Sequence, residues 1–102
     1  MKTCFISQPI SDCEIKDRVR AANFARKTLL EDGWSVFAID DDRDAPYEER
    51  VKRDIALMLK ADAVYMMKDW HKSKECRLEY RIAQVTGIER IYELNSDKKI
   101  YG

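Results

Sequence analysis

Four short apolar runs alternate with three longer amphipathic segments, and this alternation restricts the fold more than any other feature of the sequence. The runs fall at Lys2 to Ser7, Trp34 to Ile39, Asp62 to Met67 and Ile88 to Leu94. Each run has the length of a strand and ends in polar or turn-forming residues. Strands that alternate with helices in this way are typical of a parallel sheet that right-handed crossover helices cover.

The segments between the runs show the 3.6-residue apolar period of helices. The first segment, Glu14 to Leu30, follows an N-cap candidate at Asp12 and ends before Gly33. Its apolar stripe consists of Ile15, Val19, Ala22 and Leu29, with Phe24, Ala25 and Leu30 beside it. The second begins at Pro46, runs to about Lys60, and places Val51, Ile55 and Met58 on one face. The third runs from Ser73 to Thr86, stops at Gly87, and is expected to bury Leu78, Ile82 and Val85, with Cys76 and Ala83 alongside.

These elements predict an α/β fold, a three-layer Rossmann- or flavodoxin-like domain with a parallel sheet flanked by helices. We expect about four to five strands, because a short strand from the polar tail, which starts at about residue 95, would add one. The 102 residues form one domain, since a chain of this length supports only a single core. A sheet this small leaves its edges exposed, and a homodimer or higher homo-oligomer would help to cover them.

Charge and hydropathy exclude several classes of function. The 19 basic and 19 acidic residues cancel, so we expect no nucleic acid polymer as partner. No apolar run reaches the roughly 18 residues of a membrane span, and the N-terminus enters a strand pattern without the anatomy of a signal peptide. The three cysteines lack metal-ligand spacing, which together with these features predicts a cytoplasmic protein.

No motif for a cofactor is present. The chain has neither the glycine-rich dinucleotide fingerprint nor a Walker lysine motif, and its single histidine argues against structural zinc. The acidic run from Asp40 to Asp44 has the ligand type for magnesium, although such runs are usually solvated loops. We therefore predict no metal and no cofactor.

Two carboxylates are candidates for chemistry. Asp54 lies three residues after Val51 and so borders the apolar stripe of the second helix. Glu79 borders the buried face of the third helix near its N-terminus, where an anion is favoured. For each the alternative is an exposed or ion-paired residue: Asp54 with Arg50 or Arg53, and Glu79 and Glu75 with Lys72, Lys74 or Arg81. Local patterning alone favours the surface interpretation of Glu79.

Three further residues surround the start of the third helix. Ser73 is the expected N-cap, and its hydroxyl would also lie at the rim of an anion site. Trp70 is placed either to stack on a base or to cover the seam between helix and sheet. Cys76 falls on the apolar side of the helix, so an inert buried thiol is favoured over a nucleophile. His71 is expected to be exposed.

The chain resembles the nucleoside 2-deoxyribosyltransferase-like family, including its 2′-deoxynucleoside 5′-phosphate N-hydrolases, from Lys2 to about Ile91. The resemblance is carried by Phe5-Ile6-Ser7-Gln8-Pro9, by Arg53-Asp54-Ile55, by Ala61-Asp62-Ala63-Val64, and by Ser73 followed six residues later by Glu79. The chain departs from the family where Lys74-Glu75 stands in place of a glycine that many members have.

This resemblance implies a function for each matching position. Glu79 would attack C1′ of a deoxynucleoside and form a covalent glycosyl-enzyme, and Asp54 would bind the sugar or help to protonate the leaving base. Ser7, Gln8, Pro9 and Ser73 would bind the substrate, with Ser73 at a 5′-phosphate. Two residues outside the matching positions are added to the substrate site: Trp70, from its place after the third strand, and Glu75, which would crowd the sugar or repel that phosphate. The alternative is a non-catalytic protein that binds a nucleotide-derived ligand, as a sensor or by sequestration.

Overall fold

A four-stranded parallel sheet lies between helices in the computed structural model, which describes residues 2–9, 15–37 and 45–93. The strands are β1 Thr3–Ser7, β2 Ser35–Val36, β3 Ala63–Met66 and β4 Glu89–Tyr92. Their order in the sheet is β2-β1-β3-β4, and every neighbouring pair is parallel. The predicted α/β class and parallel sheet are confirmed.

Three α-helices connect the strands: α1 Ile15–Glu31, α2 Tyr47–Met58 and α3 Lys74–Thr86. A 3₁₀ turn, Trp70–Lys72, stands between β3 and α3. Ser73 is the N-cap of α3, as predicted, because its hydroxyl accepts a 3.3 Å hydrogen bond from the backbone N–H of Cys76. Gly87 ends α3 with a φ of 80°, a left-handed conformation that glycine adopts without a steric penalty.

The sheet buries side chains on both faces because successive strand residues point to opposite sides. On one face, Phe5 of β1 and Val64 and Met66 of β3 pack with Met58 of α2 and Cys76 of α3. On the other face, a separate cluster packs against α1 and contains Cys4, Ile6, Ala25, Leu29, Ala63, Tyr65 and Met67. Ser7 follows Phe5 by two residues, so it belongs to the face that α2 and α3 cover.

The observed elements are shorter than predicted at several ends. The second strand comprises Ser35–Val36 rather than Trp34 to Ile39, and the fourth comprises Glu89–Tyr92 rather than Ile88 to Leu94. Pro46 precedes the first turn of α2 instead of lying within it. The N-cap candidate Asp12, the acidic run from Asp40 to Asp44 and the tail from residue 95 lie outside the described residues. The homo-oligomer stays a prediction.

The predicted buried face of α3 is confirmed at Cys76 and Ala83 but wrong at Leu78 and Val85. Leu78 and Val85 are 43% and 71% exposed, whereas Glu75 and Glu79 are 3% and 2% exposed. Positions 75, 76, 79 and 83 follow the i, i+4 spacing of one helix face, and that face lies against the sheet. Polar partners stabilise the two buried carboxylates there, so that hydropathy alone misplaced the face by roughly one residue.

In α1 the stripe is partly confirmed. Ala22, Ala25 and Leu29 are buried, but the flanking Phe24 and Leu30 are 63% and 49% exposed. Within the described part of the chain, no helix combines the length and the apolar character that crossing a membrane requires.

Candidate functional site

The candidate site lies at the carboxyl edge of the two central strands. Ser7 is the last residue of β1 and is in register with Met66, the last residue of β3. The chain then leaves β3 through the 3₁₀ turn and enters α3, whose first two turns carry Glu75 and Glu79. Parallel sheets bind ligands at this edge, because strand ends and helix N-termini meet there.

Glu79 is held by Ser7. The Ser7 hydroxyl donates a 2.5 Å hydrogen bond to Oε1 of Glu79, and both residues are buried. The local pattern favoured a helix-surface position for Glu79, and that prediction is wrong. A carboxylate excluded from water in this way requires polar partners, because burial of an unpaired charge costs far more than one hydrogen bond returns.

Glu75 is a second buried carboxylate, and both of its oxygens have partners. The Tyr47 hydroxyl, on α2, donates a short hydrogen bond to Oε2. The Ser73 hydroxyl donates a 3.2 Å hydrogen bond to Oε1. Ser73 also accepts from the backbone of Cys76, so one hydroxyl both caps α3 and binds Glu75. The ring of Tyr47 in turn packs under the Lys74 ammonium, which lies 5.1 Å from its centroid.

The environment of Glu79 favours its neutral form. Burial is the largest cause, and together with the negative charges of Asp54 and Glu75 it raises the pKa of Glu79 to about 8. The hydrogen bond from Ser7 acts in the opposite direction and lowers this pKa. The two negative neighbours favour the neutral carboxyl group, whereas the Ser7 hydroxyl favours the ionised one. A carboxyl group whose pKa is close to neutrality can both give up and take up a proton during a reaction.

Asp54 is half-buried on α2 and close enough for its charge to act on Glu79. This brings together the two residues that the sequence singled out for catalysis. Arg53, one of the ion-pair partners considered for Asp54, forms a 3.0 Å salt bridge with Glu49 one turn earlier on the same helix.

Cys76 is a buried thiol, as predicted. It is 1% exposed, and burial raises its pKa to about 11, although the neighbouring hydroxyls of Ser7 and Ser73 act to lower it. A thiol with so high a pKa is a poor nucleophile at neutral pH. Cys76 adjoins both Ser7 of β1 and the N-cap residue Ser73.

Trp70 covers the seam between α3 and the sheet. It is 6% exposed and stacks on Tyr80, with ring centroids 4.6 Å apart and planes at 23°. The stacking position expected for a base is thus taken by a side chain of α3, and the structure favours the covering role. His71, expected to be exposed, is half-buried, and its carbonyl accepts a 3.3 Å hydrogen bond from Arg77.

A cavity of about 490 Å³ opens beside these residues. Pro9, Arg18, Met67, Trp70, Ser73 and Cys76 are among its lining residues. Its volume falls within the range of about 300 to 1,000 Å³ that small-molecule sites occupy. Three of the predicted binding residues, Pro9, Trp70 and Ser73, therefore face one space. Gln8 is half-buried beside them. Ser7, Glu75 and Glu79 are not among its lining residues. Ser73 and Cys76 do line it, and they adjoin Glu75 and Ser7.

Two residues of the site were missed in the sequence. Arg18 is 7% exposed, lines the cavity, and has an Nε with no hydrogen-bond partner among the described residues. The signal was present, since Arg18 extends the buried series Ala22, Ala25, Leu29 backwards at helical spacing. Tyr47 had no such signal, because its contact with Glu75 joins two helices 28 positions apart.

A family model described as "Domain of unknown function (DUF4406)" matches residues 2–92. The chain belongs to the DUF4406 family. Comparisons with curated proteins and with solved structures gave no match. The span shared with DUF4406 includes every residue of the candidate site, from Ser7 to Glu79. Within the described ranges of this DUF4406 domain, no group of three or more His, Cys, Asp or Glu side chains is arranged to hold a metal ion.

Proposed function

We propose that this DUF4406 protein cleaves the N-glycosidic bond of a deoxynucleoside or its 5′-monophosphate, with Glu79 as the nucleophile. The observation that carries the proposal is the buried Glu79, which accepts a hydrogen bond from Ser7 and feels the charge of Asp54. The resemblance to nucleoside 2-deoxyribosyltransferase-like proteins supports the proposal, because it implies a nucleophile at Glu79 and a sugar-binding or acid residue at Asp54.

The reaction has two steps. In the first, an ionised oxygen of Glu79 forms a bond to C1′ while the C1′–N bond breaks, and the electron pair leaves with the base. In the second, a water or another base attacks C1′, the ester bond to Glu79 breaks to restore the carboxylate, and the attacking group passes its proton to the neighbouring carboxyl groups. A carboxylate suits this chemistry, because a nearby anion stabilises the oxocarbenium character of the transition state.

The leaving base must gain a proton, and the carboxyl cluster of Asp54, Glu75 and Glu79 is its source. Carboxyl groups that interact this closely titrate as a unit, so that one proton held among them moves to whichever position the reaction favours. Asp54 is the donor that the resemblance implies. The hydrogen bond from Ser7 favours the ionised form of Glu79 and so assists its attack.

The cavity of about 490 Å³ supplies a place for the base and sugar next to the cluster. Its lining by Pro9, Met67 and Trp70 suits the apolar faces of a nucleobase. Because Glu79 is buried and does not line this cavity, its attack on C1′ requires side chains at the site to move.

Base release is the test. The protein is incubated with a panel of deoxynucleosides and their 5′-monophosphates, and free base is measured by chromatography. Glu79→Gln keeps the volume and the hydrogen-bonding shape of the side chain but removes the nucleophile, so we expect loss of release. Glu89→Gln, on the exposed side of β4, removes one carboxylate elsewhere and is expected to release base like the unaltered protein.

One observation favours a second function, the non-catalytic binding of a nucleotide-derived ligand. Glu79 is hydrogen-bonded to Ser7 and does not line the cavity, so a ligand can occupy the cavity without contacting the Glu79 carboxylate. Tight binding of one nucleotide by both the unaltered protein and Glu79→Gln, without release of base from any substrate, would support this function instead.

We also propose that the protein assembles as a homodimer or larger homo-oligomer. The exposed Leu78 and Val85 of α3 and the short edge strand β2 support this proposal, because both are surfaces that a second copy would cover. Sedimentation velocity measures the assembly directly, and a monomer at all concentrations would exclude it.

A further inference from the structure

We propose that Glu75 makes the site select against anionic ligands, so that the substrate is an unphosphorylated deoxynucleoside rather than its 5′-monophosphate. This inference rests on the proposed function and narrows its substrate class. It stands on the placement of one carboxylate at the N-terminus of α3, where the sheet edge would otherwise attract an anion.

The first argument is that the cap hydroxyl is already used. Ser73 Oγ accepts a hydrogen bond from the backbone N–H of Cys76 and donates its only proton to Oε1 of Glu75. A serine hydroxyl has one proton to give. A phosphate oxygen approaching Ser73 therefore meets no free donor there, and it meets the Glu75 carboxylate instead.

The second argument is that Glu75 cannot easily move aside. It is 3% exposed, and its other oxygen accepts a hydrogen bond from Tyr47 on α2. Displacement of the carboxylate would break two hydrogen bonds, and the group would have no solvent to enter. Glu75 thus acts as a built-in anion that already satisfies the positive end of the α3 dipole.

The third argument concerns the surrounding charges. The negative charges of Asp54 and Glu75 both act on Glu79, so the interior side of the site is acidic even where Glu79 keeps its proton. The cavity side has Arg18 and Lys68, but Asp17, Asp69 and Glu93 line it too, and Glu93 accepts a 3.2 Å hydrogen bond from the backbone of Lys68. Among the residues that line the cavity, three acidic side chains thus outnumber two basic ones. A phosphate, which carries roughly two negative charges at pH 7, is repelled.

The experiment compares a deoxynucleoside with its own 5′-monophosphate, by calorimetric binding and by base release, in three proteins. The unaltered protein should favour the nucleoside by at least about tenfold. Glu75→Gln keeps the side-chain volume and removes the charge. It should reduce or reverse the ratio of nucleoside binding to monophosphate binding. Glu31→Gln removes an exposed charge at the end of α1, and it should leave the ratio unchanged.

Three results would overturn the inference: an unaltered protein that favours the monophosphate, a ratio that Glu75→Gln leaves untouched, or no binding of either compound to either protein. If Glu75→Gln fails to fold, Tyr47→Phe loosens the same carboxylate and should narrow the ratio in part. Because binding is measured separately, a protein that selects the nucleoside but releases no base would contradict the proposed function and leave the selectivity intact.

Discussion

Ser7 and Glu79 stand 72 positions apart in the chain and are joined by a 2.5 Å hydrogen bond at the carboxyl edge of the sheet. The bond ties the end of β1 to the second turn of α3, the two elements that meet at the candidate site. It also places a hydroxyl donor on a carboxyl group whose pKa is raised to about 8.

Stability should fall as pH rises through the neutral range. Burial raises the pKa of Glu79 from its ordinary 4.5 to about 8, so the folded state keeps a proton that the unfolded state has already lost between these values. The free energy of unfolding then falls between about pH 4.5 and 8, by on the order of 1 kcal/mol per pH unit, and levels off above that range. Urea unfolding at a series of pH values measures the slope.

Glu79→Gln is the matched variant for this measurement. A glutamine does not titrate, so the part of the slope that comes from position 79 disappears and the variant becomes the more stable protein at pH 8. Parallel profiles for the two proteins between pH 5 and 8 would show that Glu79 ionises normally in the fold.

Ser7→Ala should raise the pKa of Glu79 further. The hydrogen bond from Ser7 is the one interaction that lowers this pKa, and its loss leaves the carboxyl group with burial and two negative neighbours. We expect the pH at which the free energy of unfolding stops falling to be higher in this variant. Thr28→Ala removes a hydroxyl on α1, far from Glu79 in the sequence, and should leave that pH unchanged. An unchanged or lowered end point in Ser7→Ala would contradict the role given to the bond.

Tyr47 and Glu75 should be coupled in a double-mutant cycle. The tyrosine hydroxyl donates to Glu75, and this hydrogen bond is the main reason that the pKa of Tyr47 is raised to about 12. From Tyr47→Phe, Glu75→Gln and the double variant, we expect an interaction free energy of about 1 to 2 kcal/mol. A value near zero would mean that the contact does not hold the carboxylate in place.

Trp70 should report occupancy of the cavity. It lines the cavity and stacks on Tyr80, whereas the second tryptophan, Trp34, packs against the α1 side of the sheet. Binding of a deoxynucleoside should change the fluorescence of the unaltered protein and of Trp34→Phe, but not of Trp70→Phe. A signal that persists in Trp70→Phe would place the ligand elsewhere.

The order of strands and helices was predictable, because apolar runs of strand length between amphipathic segments have few other arrangements. The caps of α3 were predictable for the same local reason: Ser73 and Gly87 are residue types that begin and end helices through their own backbone geometry. The lengths of β2 and β4 were not, since the end of a strand depends on its neighbours in the sheet.

The faces of the helices were harder to predict at the site. Hydropathy favoured burial of Leu78 and Val85, yet α3 turns Glu75 and Glu79 inward, because Ser7, Ser73 and Tyr47 come from three different elements to meet them. Partners so distant in sequence leave no local periodic signal. The place of Glu79 near a helix N-terminus made it a candidate, and the resemblance, through the spacing of Ser73 and Glu79, implied that it is the nucleophile.

The most direct test of Glu79 as a nucleophile is to quench the protein during incubation with excess deoxynucleoside and to map its peptides by mass spectrometry. We predict a deoxyribosyl group on the peptide that contains Glu79, together with free base, and neither in Glu79→Gln. Base release by Glu79→Gln at the rate of the unaltered protein, or a deoxyribosyl group attached to a different residue, would contradict it.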